Sequence, residues 1–206
     1  MNSALPDPVA FLSSGLVHQF GNLLFTIQGH AVVLDGDSLE RGRTAITAAC
    51  ARGAACLQLF RHLLGEPGSS WLPAADATGQ LLELMRVPVR EAGHTLDHRC
   101  PGGAGGKVEL GAFVPALVGA VQAVLTVVPH GVTGHIHVVV ATDGTHAHVA
   151  VTFRTPSGSL PFPLAIDAAA ATVRHIVAAE RHGVRVLGHG TTLEVAVPTV
   201  SDAMQA

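Results

Sequence analysis

The chain is poor in charge, in lysine and in aromatic side chains. Charged residues make up 13% of its 206 positions, Lys107 is its single lysine, and the net charge is −3. A nucleic-acid surface needs a basic footprint, so that class of partner is not expected. Aromatics are only 4%, so a core has to be built from Ala, Val and Leu; a hydrophobic content of 48% with a positive mean hydropathy allows this. No apolar run reads as reaching the roughly 18 residues that span a bilayer. The opening MNSALPDPVAF lacks the basic start and apolar block of a secretion signal. Cys50, Cys56 and Cys100 form an odd set without metal-type spacing, which suits reduced thiols. A cytoplasmic protein away from membranes is the expectation.

What the chain does have is a long proline-free stretch from Phe11 to Leu34. Leu12, Leu16, Leu23 and Ile27, with Phe20 beside them, recur at helical spacing and make one apolar stripe. On another face His18 and Asn22 stand four residues apart, one above the other, with Gln19 flanking the histidine. The helix should begin near Asp7, with Pro8 in its opening turn, and end where Asp35, Gly36 and Asp37 break the pattern. Ser38 is a candidate N-cap for a second helix to Leu64, with a stripe of Ile46, Ala49 or Cys50, Gly53, Leu57, Phe60 and Leu64. Two long helices and a short turn predict an antiparallel hairpin. Two helices alone enclose no core, whereas pairing with a second copy gives a four-helix bundle, so a homodimer is expected.

Residues 65–73 read as a linker, with the sole tryptophan, Trp71, inside it. Beyond it the pattern is mixed. A helix is expected over 81–92 despite Pro88, a short strand over 94–99, and a glycine-rich loop over 101–106 that lacks the ending of a phosphate loop. An apolar helix follows over 110–128. Strands at 135–141 and 146–153 flank an Asp143-Gly144 turn. A helix over 164–182 stops at Gly183, and a hairpin of 184–187 and 192–197 turns around Gly188, His189 and Gly190. The fold class expected is α+β, divided into a hairpin of residues 1–66 and an α/β sandwich of residues 76–200.

The string HQFGNLL resembles the H-box of two-component sensor histidine kinases, through His18, Phe20, Asn22, Leu23 and Leu24. Gln19 stands where the family has Glu or Asp, and Gly21 replaces the first Asn. The second helix resembles the family's AxxRAAxLxxxLL, the run here being Ala48, Ala51, Arg52, Gly53, Ala54, Ala55, Leu57, Leu63 and Leu64. The C-terminal part resembles the ATP-binding domain of the same kinases. There Leu164, Ala165 and Ile166 match, then His182 and Gly183, then Gly190, Thr191, Thr192, Leu193, Val195 and Pro198. The resemblance implies a dimeric phosphotransfer bundle followed by an ATPase-like sandwich.

The nucleotide-binding residues of that family are missing. Asn2 and Asn22 are the only asparagines, so the helix over 110–128 has Gln122 or Ala123 near the place of the family's metal-binding Asn. Where the family's adenine-reading Asp is expected, the chain has Arg154, which has donors only. The lid, 155–163, is short and holds three prolines. No bound cofactor is expected. Without an acidic neighbour at Gln19, His18 is poorly equipped for attack on ATP. Exchange with an aspartyl phosphate asks less, since a receiver domain brings its own Mg²⁺ and an activated acyl phosphate. The resemblance therefore implies a histidine phosphotransferase with His18 as acceptor, Gln19 orienting the ring and Asn22 positioned to orient water. Its partners would be response-regulator receiver domains. A docking module without covalent chemistry, and a kinase or phosphatase, are the alternatives. His135, His137, His146 and His148 share a face without a completing Cys, Asp or Glu, so they read as a solvated sheet face and no metal is expected.

Overall fold

The computed structural model describes residues 7–32, 39–66, 70–101, 106–156, 165–177 and 182–200. Helix α1 spans Pro8–Val32 and α2 spans Leu39–Leu63. There follow β1 (Trp71–Pro73), α3 (Ala74–Glu91), β2 (His94–Arg99), β3 (Lys107–Glu109) and α4 (Leu110–Val127). The chain continues through β4 (Gly134–Thr142), β5 (His146–Arg154), α5 (Ile166–Ile176), β6 (Arg185–His189) and β7 (Thr192–Val200). The fold is α+β, with α3, α4 and α5 set against one mixed sheet and α1 and α2 packed on α3 and α4. The strand order of the sheet is β1-β3-β7-β5-β4-β2, with β6 also paired to β7. Every pairing is antiparallel except β2 with β4.

Period-two alternation makes the sheet two-faced. Ile136, Val138, Val140, Val149, Val151, Phe153, Leu193, Val195 and Val197 are buried beneath the helices. Their neighbours in sequence form the open face. The β4–β5 turn is closed by Asp143, whose carboxylate accepts from the Thr145 and His146 backbone N–H groups, while Gly144 takes φ 91°.

Helix α1 starts as its sequence requires. Asp7 Oδ1 accepts from the backbone N–H groups of Val9 and Ala10 at 3.0 and 3.1 Å, and Pro8 occupies the opening turn. Ser38 and most of the lid, 157–163, lie outside the described residues, as do Leu164 and 102–105. Helix α4 runs 18 residues and is apolar and long enough to cross a bilayer, which corrects the reading that no run reaches that length. Two-thirds of it is buried against the sheet and the other helices, as in the core helix of a globular domain.

Three further expectations are corrected. The presumed linker contains β1, paired with β3 through Trp71 opposite Glu109 and Leu72 opposite Val108. Helix α3 begins at Ala74, seven residues before the expected 81, because Ala74, Ala77 and Thr78 are buried and extend its inward face. In α2 the buried side is Ala49, Gly53, Cys56, Leu59 and His62, while Leu57 and Leu64 of the expected stripe are exposed. The reason is that α2 packs on α1 and on α3 and α4 together.

That packing also changes the burial logic of the first two helices. Leu12, Cys56 and Leu59 are buried in one cluster with the α3 and α4 core, and Leu16, Phe20, Phe60 and Leu63 pack against it. Intrachain contacts thus cover surface that the sequence assigned to a second copy. What remains uncovered is Val17, Leu24, Phe25 and Val32 on α1, with Leu39 and Leu57 on α2 and Leu64 just beyond it.

Candidate functional site

Helix α1 is anchored by one side and free on the other. Leu12, Gly15 and Leu23 are buried, and Gly15 lies so close to the Leu84 backbone that no side chain fits between them. Beside this seam, His18 and Asn22 are exposed and Gln19 is partly buried. The arrangement expected of the three is therefore available: an accessible imidazole with an amide one turn on. The Asn22 backbone carbonyl accepts from the Thr26 hydroxyl at 2.9 Å, an ordinary helix-internal bond.

The side of α4 that carries Gln122 is engaged by α1. The Gln122 side-chain N–H donates to the Asp7 carbonyl at 3.2 Å, and its Oε1 is buried without a hydrogen-bond partner. Ala123 is buried in the core. Arg154 is exposed at the end of β5 and, alternating with buried Phe153, belongs to the open face rather than the helical one.

The histidines of the open face divide into two groups. Register sets His135 opposite Arg154 and His137 opposite Thr152, whereas His148 lies opposite Ala141. Four residues of strand, roughly 14 Å at 3.4 Å per residue, separate the two groups, too far for shared ligation. Two carboxylates stand beside one of these histidines. His148 Nε2 is 2.9 Å from Asp143 Oδ2, and its Nδ1 is 3.2 Å from Glu194 Oε1 on β7. Asp97 lies opposite His137. Even so, among the described residues no group of three or more His, Cys, Asp or Glu could hold a metal ion. Two other histidines, His62 and His94, are buried with Nδ1 unpartnered, and burial lowers the pKa of each. His94 meets the Phe153 ring edge-on at 5.4 Å.

The carboxylates beside His148 set a pH dependence. The Asp143 hydrogen bond, more than the one to Glu194, raises the His148 pKa against the opposing effect of burial. The same contact, with those to Thr145 and His146, holds Asp143 well below the ordinary carboxylate range. A raised histidine pKa contributes stability that is complete below the unfolded value of about 6.5 and is lost as pH rises through the folded value. Thermal melts should therefore show the wild type losing its advantage over His148→Gln from about pH 6.5 upward. Parallel melting profiles for the two proteins would contradict this account of the turn.

No family model matches the chain, and no curated protein matches it. Solved structures do. The catalytic domain of histidine kinase ThkA is 13% identical, covering 66% of this chain and 100% of that one, with a TM-score of 0.48. A bacterial phosphotransferase is 20% identical, covering 95% of this chain and 97% of that one, with a TM-score of 0.40. The Acinetobacter baumannii histidine kinase AdeS is 9% identical, covering 89% and 95%, with a TM-score of 0.44. At these identities and TM-scores they stand as likenesses only.

Proposed function

We propose that the chain is a histidine phosphotransferase of a two-component relay, exchanging phosphoryl between His18 and the aspartate of a response-regulator receiver without using ATP. The observation that carries this reading is the exposure of His18 and Asn22, one turn apart on a helix held in place by α2, α3 and α4. Residues of the resembled H-box thus occupy a surface that a receiver could reach. In the step proposed, the neutral Nε2 of His18 attacks phosphorus, the N–P bond forms, and the P–O bond to the receiver's aspartyl carboxylate breaks. The imidazole proton is released to solvent. The receiver supplies the Mg²⁺. Supporting an ATP-free mechanism, the Gln122 side-chain N–H is given to the Asp7 carbonyl and its Oε1 is buried away from solvent. The test is transfer of label from a phosphorylated receiver to His18. A docking module without transfer is the second reading, favoured by Gln19, which gives the ring no acidic partner.

We also propose that α1 and α2 form an antiparallel hairpin that dimerises, with the α/β sandwich as a second part that begins at β1 rather than at the expected residue 76. The six residues between the helices reach at most about 21 Å, less than the roughly 37 Å length of either helix, so a parallel pair is out of reach. The uncovered apolar residues carry the dimer. Val17 and Leu24, Phe25 and Val32, and Leu57 and Leu64 are each seven apart, the repeat of helices packed on helices. Phe25 and Val32 are 75% and 81% exposed within one chain. Light scattering should give a dimer mass for the wild type and a monomer mass for Phe25→Asp. A wild-type monomer at micromolar concentration would contradict this. The proposed setting is the cytoplasm, with no role for nucleic acid or membrane.

A further inference from the structure

One corner of the open sheet face gathers the positive charge of three strands. Register places His135 opposite Arg154 across β4–β5, and Thr95 and Asp97 opposite His135 and His137 across β2–β4, with Arg99 at the end of β2. Asp97, His98, Arg99, His135, His137 and Arg154 line a cavity of about 680 Å³ with Thr155 and Pro156. That volume lies within the roughly 300–1,000 Å³ of small-molecule sites, well beyond what a bare ion fills. Among the described residues neither Arg99 nor Arg154 is engaged in an ion pair. The Thr95 hydroxyl is hydrogen-bonded to His135 Nδ1, which leaves Nε2 of that ring for another partner.

We infer that this cavity binds a small organic phosphate, with Arg99 and Arg154 taking the phosphate oxygens, the imidazoles of His135 and His137 donating to them, and Asp97 accepting from a ligand hydroxyl. Planar guanidinium forks match phosphate geometry, and two of them set against a single carboxylate favour a dianion. A lone acid in a basic cavity has a use only if the ligand also brings a donor. The site is separate from His18, because α1 packs on α3 and α4, and these lie on the opposite face of the sheet.

The histidines give the site a pH dependence. The groups facing His137 are Asp97 and Arg99 on β2, His135 on its own strand, and Thr152 and Arg154 on β5. Burial first, then the charges of Arg154 and Arg99, lower the His137 pKa, with Asp97 opposing. A bound anion offsets the two guanidiniums and favours the imidazolium, so binding takes up protons and tightens as pH falls through the histidine range.

Titration calorimetry on the full chain, with sulfate, inorganic phosphate and ribose 5-phosphate as probes, tests this. Ribose 5-phosphate should bind at least about tenfold more tightly than phosphate, and Asp97→Ala should abolish that margin. Arg154→Gln should weaken all three by about tenfold, with the melting temperature unchanged. Sulfate keeps its charge throughout, so its tightening from about pH 8 to pH 6, and the loss of that trend in His137→Gln, would come from the protein. His18→Gln should bind as the wild type does, which keeps this outcome distinct from any failure of phosphotransfer. Equal affinity for phosphate and ribose 5-phosphate overturns the organic ligand. Unchanged binding in Arg154→Gln, or no saturable binding of any probe, overturns the site.

Discussion

Gly15→Ala should destabilise the protein by about 3 kcal/mol or more, near the upper end of overpacking costs. A Cβ at Gly15 would stand 1.7 Å from the Leu84 carbonyl oxygen and 2.8 Å from its carbon. Both are main-chain atoms inside α3, so no rotamer change relieves the clash. Either α1 must lift away from α3, uncovering Leu12 and its neighbours, or α3 must shift against the sheet. Gly21→Ala on the same helix is the control, since an added Cβ there meets nothing within 4 Å. It should be neutral or stabilise by up to about 1 kcal/mol through helix propensity. Urea denaturation of the three proteins measures both effects. If Gly15→Ala unfolds at the wild-type midpoint, α1 does not rest on α3 at this separation.

The elements legible in the sequence were those with long, one-sided periodicity. Helix α1 carried its stripe and its Asp7-Pro8 start in plain view, and β4 and β5 announced themselves by alternation around Asp143-Gly144. The three-residue strands β1 and β3 had no such signal. Tertiary bonds hold their surroundings, among them Leu110 N–H to the Ser70 carbonyl and Ala74 N–H to the Gly106 carbonyl. The first turns of α3 were hidden for a similar reason, because small Ala74 and Ala77 count as core only once the sheet lies beneath them. In α2 the stripe was displaced because a helix touching three others buries more than one line of residues, and Leu59 and His62 answer to the rest of the chain rather than to α1 alone. Glu194 beside His148 was out of sight because it arrives from β7, almost fifty residues along the chain. Of the candidate site, His18 and Asn22 are exposed on α1. No sequence period could show that Gln122 is tied to Asp7.

His18→Gln should abolish acquisition of phosphoryl by this chain while leaving its fold and its receiver affinity intact. Glutamine keeps the size and polarity of an exposed side chain, and among the described residues no hydrogen bond or ion pair holds the imidazole. It cannot form a phosphoramidate, so the loss should be complete rather than graded. Asn22→Ala should leave acquisition largely in place and lower instead any loss of label as free phosphate, because an amide at that position can orient water but cannot carry phosphoryl. Gln19→Glu should restore a base beside the ring without conferring reaction with ATP.

The decisive experiment is incubation of the chain with a receiver domain whose aspartate carries labelled phosphoryl, followed by mapping of the label. Label that appears on His18 of the wild type and is absent from His18→Gln is the result expected. Label on His18→Gln equal to that on the wild type would contradict it and move the acceptor to another histidine. If neither protein takes label while both bind the receiver equally, the chain docks receivers without transferring phosphoryl.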